Sequence, residues 1–402
     1  MMQTIRPHAA RGTQTTARSL LTSTTPSPAS SIVNSSRQLQ LSPHRAQQTA
    51  AYTTKASVNN SSLITTTPRD ALSRRAPVGG QYSPRTARPT SWAPKGRSSY
   101  STGAVEVQQP IVHDVFETKT GTWQYVVADP ATMTAAIIDP VLDYDPATQA
   151  VTTQSADALL ALVKDKGYTI DMILETHAHA DHLTASSYLQ KRLAQEQDRA
   201  PIIGIGKRIG RVQKLFGNRY GVAPDEYEGV FDKLFEDDEK FNIGELEATA
   251  LHLPGHTPDH LGYKIGDNVF CGDSIFHADI GTARCDFPGG SASDLFKSGR
   301  RLLSLPDHVK IWTGHDYPPA GRDAPVPWMT VEQHRQRNKH LKDGTTEEDF
   351  VAMRNQRDAG LAAPRLIHQS LQVNIRAGRL PKATDAGLRL LHLPLKPKPL
   401  EW

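Results

Sequence analysis

The segment THAHADH, residues 176 to 182, places three histidines and one aspartate within seven residues. It follows Met172, Ile173 and Leu174, an apolar run that predicts a buried strand ending directly before the cluster. One histidine is usually an ordinary polar side chain, but a cluster this dense would lose solvation on burial unless a metal ion compensated for it. The segment therefore predicts a metal site at the end of a strand.

Three later segments repeat the pattern of a strand that ends in a metal-type ligand. LHLPGHTPDH (251 to 260) contains His256, VFCGDS (269 to 274) contains Asp273, and IWTGHD (311 to 316) contains His315. A glycine precedes each ligand, and we expect it to let the backbone turn sharply across a strand edge. Imidazole and carboxylate together suit Zn and Fe, and a structural Cys-rich zinc site is excluded because the cluster holds no cysteine.

Strands and helices mix along the chain from about Ile111 onward. We predict strands in VHDVFE, WQYVVAD, AAIIDPV, DMILET, PIIGIG, ATALHLP, HLGYKI, NVFCGD and VKIWTGH. A helix is predicted from Ser155 to a stop at Gly167, and another from Leu183 to about Arg192. Gly266-Asp267 predicts a hairpin, so the pattern favours sheets covered by helices and not an all-parallel doubly wound fold.

Two capping boxes predict helices near the C-terminus. Thr330 is followed by Gln333, and Thr345 is followed by Glu348, each at the spacing of this motif. His334 and His340 fall on the charged helix after Thr330, and we predict that both are solvated.

The ordered set of motifs resembles the metallo-β-lactamase superfamily, in which H-x-H-x-D-H precedes a lone His, a lone Asp and a further His. The flanking segments resemble the persulfide dioxygenases, also called sulfur dioxygenases: AAIIDPV, ETHAHADH, LPGHTPDHLGY, FCGDSIF, TARCDFPGG, GHDY and NIRAG. This resemblance implies an α/β (α+β) fold, an αββα sandwich of two mixed sheets flanked by helices, with metals at the strand ends.

The same resemblance implies one Fe(II) per chain, with His177, His256 and Asp273 as its ligands and as the catalytic residues. Two imidazoles and a carboxylate on one face of an octahedral ion leave three positions for a substrate sulfur, O₂ and water. The family reaction converts glutathione persulfide, O₂ and water to glutathione and sulfite, a step of hydrogen sulfide catabolism. Glutathione persulfide and O₂ are therefore the expected partners, with glutathione as part of the substrate.

The other ligands of the cluster have two open interpretations. His179, Asp181, His182 and His315 form a second metal site in binuclear relatives. In the dioxygenases this second site is vacant, and its side chains orient ligands or hydrogen-bond substrate and oxygen. The spacing does not decide between these interpretations.

Three further residues are expected near the substrate. Arg284 matches the family position beside the glutathione carboxylate, and guanidinium suits a bidentate grip on that group. Tyr317 would donate a hydrogen bond into the pocket. Their alternatives are a surface arginine and a core tyrosine. Cys285 departs from the small or hydroxyl-bearing residue of the family, which leaves the reactivity of its thiol open.

Two other functions compete with this hypothesis. A binuclear thioester hydrolase of the glyoxalase II type would use all seven ligands and a bridging hydroxide to cleave an acylglutathione. Such hydrolases add a C-terminal helical domain, whereas residues 330 to 381 resemble the dioxygenase tail. A non-catalytic binding module is the third hypothesis, and the intact His177, His256 and Asp273 argue against it.

Composition divides the chain into three parts. Residues 1 to 105 carry 11 Arg and 2 Lys with a single acidic residue, Asp70, whereas the rest is net acidic. We predict that this region is disordered and holds a mitochondrial transit peptide ending near residues 97 to 101; a low-complexity tail without an address is the alternative. Residues 106 to 381 are the predicted catalytic domain, and residues 382 to 402 are a Pro- and Lys-rich tail.

The remaining expectations concern location and partners. The predicted transit peptide indicates that the protein is located in the mitochondrial matrix. The two cysteines, Cys271 and Cys285, are too few for a disulfide scaffold. Because the overall basicity sums two unlike parts, it does not indicate nucleic acid as a partner. No apolar run is long enough to span a bilayer, so we expect no membrane partner. A homodimer stays open.

Overall fold

The computed structural model describes residues 108 to 395 and residue 397. The predicted transit peptide and the last residues of the predicted tail lie outside this part of the chain. Among the described helices, none combines the length and apolar character that crossing a membrane requires.

The first sheet has six strands and begins with antiparallel neighbours. Its order is β1 (Ile111–Glu117), β2 (Thr122–Ala128), β3 (Thr134–Ile138), β6 (Thr169–Leu174), β8 (Ile202–Gly206) and β9 (Lys233–Phe235), and pairing is parallel from β3 onward. A small sheet at one end joins β5 (Ala150–Thr152), β4 (Val141–Asp145) and β7 (Leu183–Thr184). The carboxyl ends of the parallel strands therefore meet at one edge.

The second sheet also has six strands and is antiparallel except at one pair. Its order is β10 (Glu239–Ile243), β11 (Leu246–His252), β12 (Leu261–Ile265), β13 (Asn268–Phe270), β14 (Lys310–Trp312) and β15 (Trp328–Thr330). The parallel pair is β13 with β14. The two-residue turn between β12 and β13 confirms the hairpin predicted at Gly266-Asp267.

Seven helices lie among the described residues: α1 (Gln154–Lys166), α2 (Ser186–Glu196), α3 (Ile209–Tyr220), α4 (Ala292–Leu303), α5 (Val331–Arg337), α6 (Glu347–Asp358) and α7 (Ile367–Asn374). One apolar cluster joins the facing sides of the two six-stranded sheets, including Tyr125, Leu174 and Phe270. Separate clusters join the outer faces to α1 and α2 and to α4 and α6. This arrangement is the predicted αββα sandwich.

Two predicted helix starts were wrong. Leu183 and Thr184 do not begin α2, because they pair with Val141 and Leu142 across the small sheet, so the helix begins only at Ser186. Thr346, not Thr345, caps α6, and its hydroxyl accepts from the Asp349 N–H at 3.1 Å. The capping box of Thr330 and Gln333 on α5 is confirmed.

The prediction that His334 and His340 are solvated was also wrong, since only 2% and 4% of their surfaces are exposed. The Thr282 N–H donates to Nδ1 of His340 at 3.0 Å, and Nδ1 of His334 lies 3.2 Å from the Asn338 amide. Burial lowers the pKa of His340 to about 4 and that of His334 to about 3. Both are neutral core side chains.

Candidate metal centre

Three predicted ligands meet where strands of both sheets end. His177 follows β6, His256 follows β11 and Asp273 follows β13. All three are buried, and one ligand atom from each lies within 4.8 Å of the other two. The structure thus brings together the two-histidine, one-carboxylate group that the sequence predicts.

The two histidines of this group are oriented by hydrogen bonds at their Nδ1 atoms. The Thr176 hydroxyl donates to Asp139 at 2.8 Å and lies 3.0 Å from Nδ1 of His177. Nδ1 of His256 lies 2.7 Å from the Arg284 carbonyl oxygen. Each Nδ1 therefore carries the proton, and each Nε2 keeps a lone pair, which is the arrangement of a metal-ligating histidine.

The pKa of His177 lies well below 6.5, because burial disfavours the charged ring and the neighbouring histidines add to this effect. A neutral imidazole is the form that binds a metal.

A second group of predicted ligands adjoins the first. One ligand atom each of Asp181, Asp273 and His315 also lies within 4.8 Å of the other two. Oδ2 of Asp181 lies 2.9 Å from Nδ1 of His182 and 3.2 Å from Nε2 of His315. Burial opposes charge on His315, but Asp273 and Asp181 outweigh it and raise its pKa above 6.5.

One ligand atom each of His179, Asp181 and His182 also lies within 4.8 Å of the other two, but Nε2 of His179 contacts other carboxylates. This Nε2 lies 3.1 Å from Asp139 and 3.2 Å from Glu175. Burial would lower the pKa of His179, but these two carboxylates outweigh it and raise that pKa well above 6.5. Glu175 in turn accepts from the hydroxyls of Thr184 and Ser186.

Unpartnered buried atoms concentrate at this centre. Within the described part of the chain, the buried side-chain atoms without a hydrogen-bond partner include His177 Nε2, His179 Nδ1, His182 Nε2 and Asp273 Oδ1. Buried polar atoms without partners are costly, and imidazole nitrogens with carboxylate oxygens are ligands of Zn and Fe. The residues present therefore fit a metal ion.

The glycines before the ligands act for different reasons. Gly255 and Gly272 have φ of 142° and 47°, so the prediction of sharp turns before His256 and Asp273 is confirmed. Gly314 has no positive φ, and its reason is space: an added Cβ would lie 2.5 Å from Oδ1 of Asp273.

Asn374, at the end of α7, supports the THAHADH loop. Its amide donates to the carbonyl oxygens of His179 and His182, at 2.8 Å each, and its Oδ1 accepts from the Thr184 N–H at 2.9 Å. The sequence indicated Asn374 only as part of NIRAG, and it indicated no role for Asp139 or Glu175. Asp139 and Asn374 meet their partners across distant segments, which leaves no local signal. The partners of Glu175 are nearby in sequence, but no spacing rule predicts them.

A cavity of about 680 Å³ opens above the centre. Its lining includes His256, Asp273, His315 and both predicted substrate residues, Arg284 and Tyr317. Tyr317 is half exposed, and its ring stacks on His315 with centroids 5.6 Å apart. The Arg284 guanidinium is already paired with Asp286 and donates to the Ala362 carbonyl oxygen at 2.8 Å.

Cys285 is a buried thiol whose backbone N–H donates to Asp358 at 2.8 Å. Burial raises the pKa of this thiol to about 12. It is therefore protonated at neutral pH, which argues against a reactive thiolate.

Comparison with known proteins supports the same fold. The profile described as metallo-beta-lactamase superfamily matches residues 118–315. A "Beta-lactamase hydrolase-like protein" of Agrobacterium fabrum is 45% identical over 71% of this chain. This chain matches only 65% of the length of that relative. "Glyoxylase B2" of Dictyostelium discoideum is 44% identical over 69% of this chain and 94% of its own length.

More distant relatives differ in how much of them this chain covers. "Persulfide dioxygenase ETHE1, mitochondrial" of Bos taurus is 28% identical, over 67% of this chain and 89% of that protein. "Hydroxyacylglutathione hydrolase" of Rhodospirillum rubrum is 30% identical, over 48% of this chain and 61% of that protein. The crystal structure of ETHE1 from Myxococcus xanthus, 27% identical, is covered completely with a TM-score of 0.53, over 67% of this chain.

Proposed function

The chain belongs to the metallo-beta-lactamase superfamily, and from this premise we propose that it is a mononuclear non-haem iron dioxygenase of the mitochondrial matrix. Its reaction is the oxidation of glutathione persulfide by O₂ and water to glutathione and sulfite. The observation that carries the proposal is that His177, His256 and Asp273 each place one ligand atom within 4.8 Å of the other two. Two imidazoles and one carboxylate are the ligand set of iron oxygenases.

Coverage of two distant relatives favours the dioxygenase, although glyoxylase B2 is covered over 94% of its own length. This chain matches 89% of the persulfide dioxygenase of Bos taurus but only 61% of the hydroxyacylglutathione hydrolase. The C-terminal α7 also contributes directly to the centre, because Asn374 holds the loop that carries His177. The segment that contains NIRAG thus supports the loop that carries His177.

Iron(II) bound by the three ligands would supply adjacent positions at which the persulfide sulfur and O₂ meet. Both atoms of O₂ and the oxygen of water end on the distal sulfur, the S–S bond breaks, and sulfite and the glutathione thiol leave with release of two protons.

The residues of the chain prepare this reaction. Asp139, through Thr176, and the Arg284 carbonyl keep the rings of His177 and His256 in fixed orientations. Phe276 and Ile280 form an apolar part of the cavity wall.

The test is O₂ uptake by the iron-loaded chain with glutathione persulfide, with the iron content measured on the same sample. We expect one iron per chain and O₂ consumption, both lost in His177→Ala. His308→Ala serves as the control, because His308 is an exposed histidine paired with Asp267 away from the cavity. Equal O₂ uptake by His177→Ala and the wild-type chain would refute the proposal.

The second candidate is a binuclear glyoxalase II-type hydrolase, which cleaves an acylglutathione thioester. Two observations favour it. Nδ1 of His179 has no hydrogen-bond partner among the described residues, and Asp181, Asp273 and His315 place their ligand atoms within 4.8 Å of one another. The 44% identity to glyoxylase B2 points the same way. Two metal ions per chain, with thioester cleavage and without O₂ uptake, would establish the hydrolase instead.

A further inference from the structure

Five lysine and arginine side chains line the cavity above the metal centre, and three of them are engaged by neighbouring groups. Arg284 is paired with Asp286, the buried Arg354 is paired with Asp358, and Lys119 lies 4.0 Å from Asp143. The other two are Arg357 and Arg365, which are exposed. Among the described residues, neither guanidinium has a hydrogen-bond or ion-pair partner.

The free guanidiniums stand beside an apolar surface. Arg357 lies in the last turn of α6, and Arg365 follows the turn after that helix. Leu361, Pro364 and Leu366 of the same turn also line the cavity. A ligand with a carbon skeleton and an anionic end would satisfy both features, because an apolar wall holds the skeleton and unpaired guanidiniums bind the anion.

We propose that Arg357 and Arg365 form the subsite for the glycyl carboxylate of glutathione, with the sulfur end directed at the metal centre. The assignment rests on the proposed function for the identity of the substrate. The glycyl carboxylate is chosen because the other carboxylate of glutathione has an ammonium group beside it, so only the glycyl end is net anionic.

Under this assignment Arg284, which the family resemblance places near this carboxylate, takes a different role. Its guanidinium is already bound to Asp286 and the Ala362 carbonyl oxygen, and Ala362 lies in the same turn as Leu361. A ligand that bound Arg284 would have to replace its contacts with Asp286 and the Ala362 carbonyl oxygen, whereas Arg357 and Arg365 have no such contacts to replace. Arg284 therefore holds the cavity wall in place.

Calorimetric titration of the metal-loaded chain with glutathione tests the subsite without any redox step. Arg357→Gln and Arg365→Gln are each expected to weaken glutathione binding about tenfold, because each removes a charge-assisted contact. Arg211→Gln is the matched control, since Arg211 is exposed on α3 and does not line the cavity. Its affinity for glutathione should equal that of the wild-type chain.

Glutathione with its glycyl carboxylate blocked as the ethyl ester identifies the group that is bound. The wild-type chain should bind the ester at least about tenfold more weakly than glutathione, because the ester loses the contacts with both arginines, and each variant should bind the ester as well as the wild-type chain does. The proposal would be overturned if the arginine substitutions weakened binding of the ester and of glutathione equally. It would also be overturned if both variants bound glutathione with unchanged affinity, or if the wild-type chain did not bind glutathione at all. Arginine-dependent binding of coenzyme A in preference to glutathione would overturn it in favour of a phosphate site.

The two proposals fail in different ways. If glutathione binding depends on Arg357 and Arg365 but the wild-type chain consumes no O₂ with the persulfide, the subsite stands and the dioxygenase assignment is wrong. If O₂ uptake occurs with the same KM in the wild-type chain and both variants, the dioxygenase stands and the subsite is wrong.

Discussion

At Gly314, an added Cβ would lie 2.5 Å from Oδ1 of Asp273 and 2.9 Å from the Gly272 carbonyl carbon. Gly314→Ala should therefore displace the Asp273 carboxylate and weaken metal binding at least about tenfold, as expected when the support of a ligand is disturbed. Competition with a chelator measures this affinity. Gly210→Ala on α3 is the control, because a Cβ there meets nothing within 4 Å. Equal affinity in both variants would contradict this account of Gly314.

The pKa of His340 is lowered to about 4 by burial and then by nearby cationic side chains, whereas an unfolded histidine titrates near 6.5. Between these values the unfolded state binds a proton that the folded state does not. The free energy of unfolding should therefore fall as pH drops from 6.5 to 4, and His340 should account for about 3 kcal/mol of that fall. Below pH 4 and above pH 6.5, His340 should add no further pH dependence.

His340→Gln tests this prediction, because an amide oxygen can still accept from the Thr282 N–H that Nδ1 of His340 binds. Urea unfolding at several pH values should show a weaker pH dependence in the variant, by at most about 1.4 kcal/mol per pH unit, between pH 4 and 6.5. Parallel curves for the two proteins would show that His340 is not neutral in the folded state.

At the scale of elements, α7 packs against the THAHADH loop through Leu371, Ala178 and Ala180, and the buried Asn374 side chain adds hydrogen bonds to that loop. Asn374→Asp keeps the oxygen that accepts from the Thr184 N–H but removes the donor to the His179 and His182 carbonyl oxygens. We expect the loop to shift, with a changed visible spectrum of the cobalt-substituted protein and metal affinity reduced about tenfold.

Gln369→Ala on the same helix serves as the control for this variant, because Oε1 of Gln369 has no hydrogen-bond partner among the described residues. If Asn374→Asp and this control lose equal stability and keep identical cobalt spectra, Asn374 has no effect on the metal ligands.

The sequence predicted correctly those helices whose bounds are set by residues within them or next to them. The α1 helix follows from the spacing of Leu159, Leu160 and Val163 and from Gly167, which ends the helix in the left-handed conformation. The start of α2 could not be predicted, because Leu183 and Thr184 are taken by strand pairing with β4. The ligands were predictable because each follows a strand, whereas the supports Asp139 and Asn374 act only once distant segments meet.

At the scale of the whole molecule, the ligands come from strands of both six-stranded sheets. Metal binding should therefore stabilise the folded state, in which the two sheets are packed together. At a free metal concentration of a thousand times Kd, this stabilisation is about 4 kcal/mol. Thermal unfolding should show a higher Tm with iron than after chelation. His177→Ala should lose most of this difference, and Arg211→Gln should keep it. An iron effect on Tm that is unchanged in His177→Ala would place the metal elsewhere.

The bond between Asn374 and the His179 carbonyl oxygen joins residues 195 positions apart. During synthesis from the N-terminus, every ligand from His177 to His315 emerges before Asn374 does. The loop that carries His177 thus acquires this support only after the whole ligand set has left the ribosome. We therefore expect the ligand loop to become fully ordered, and the metal site to reach its full affinity, only once α7 has been synthesised.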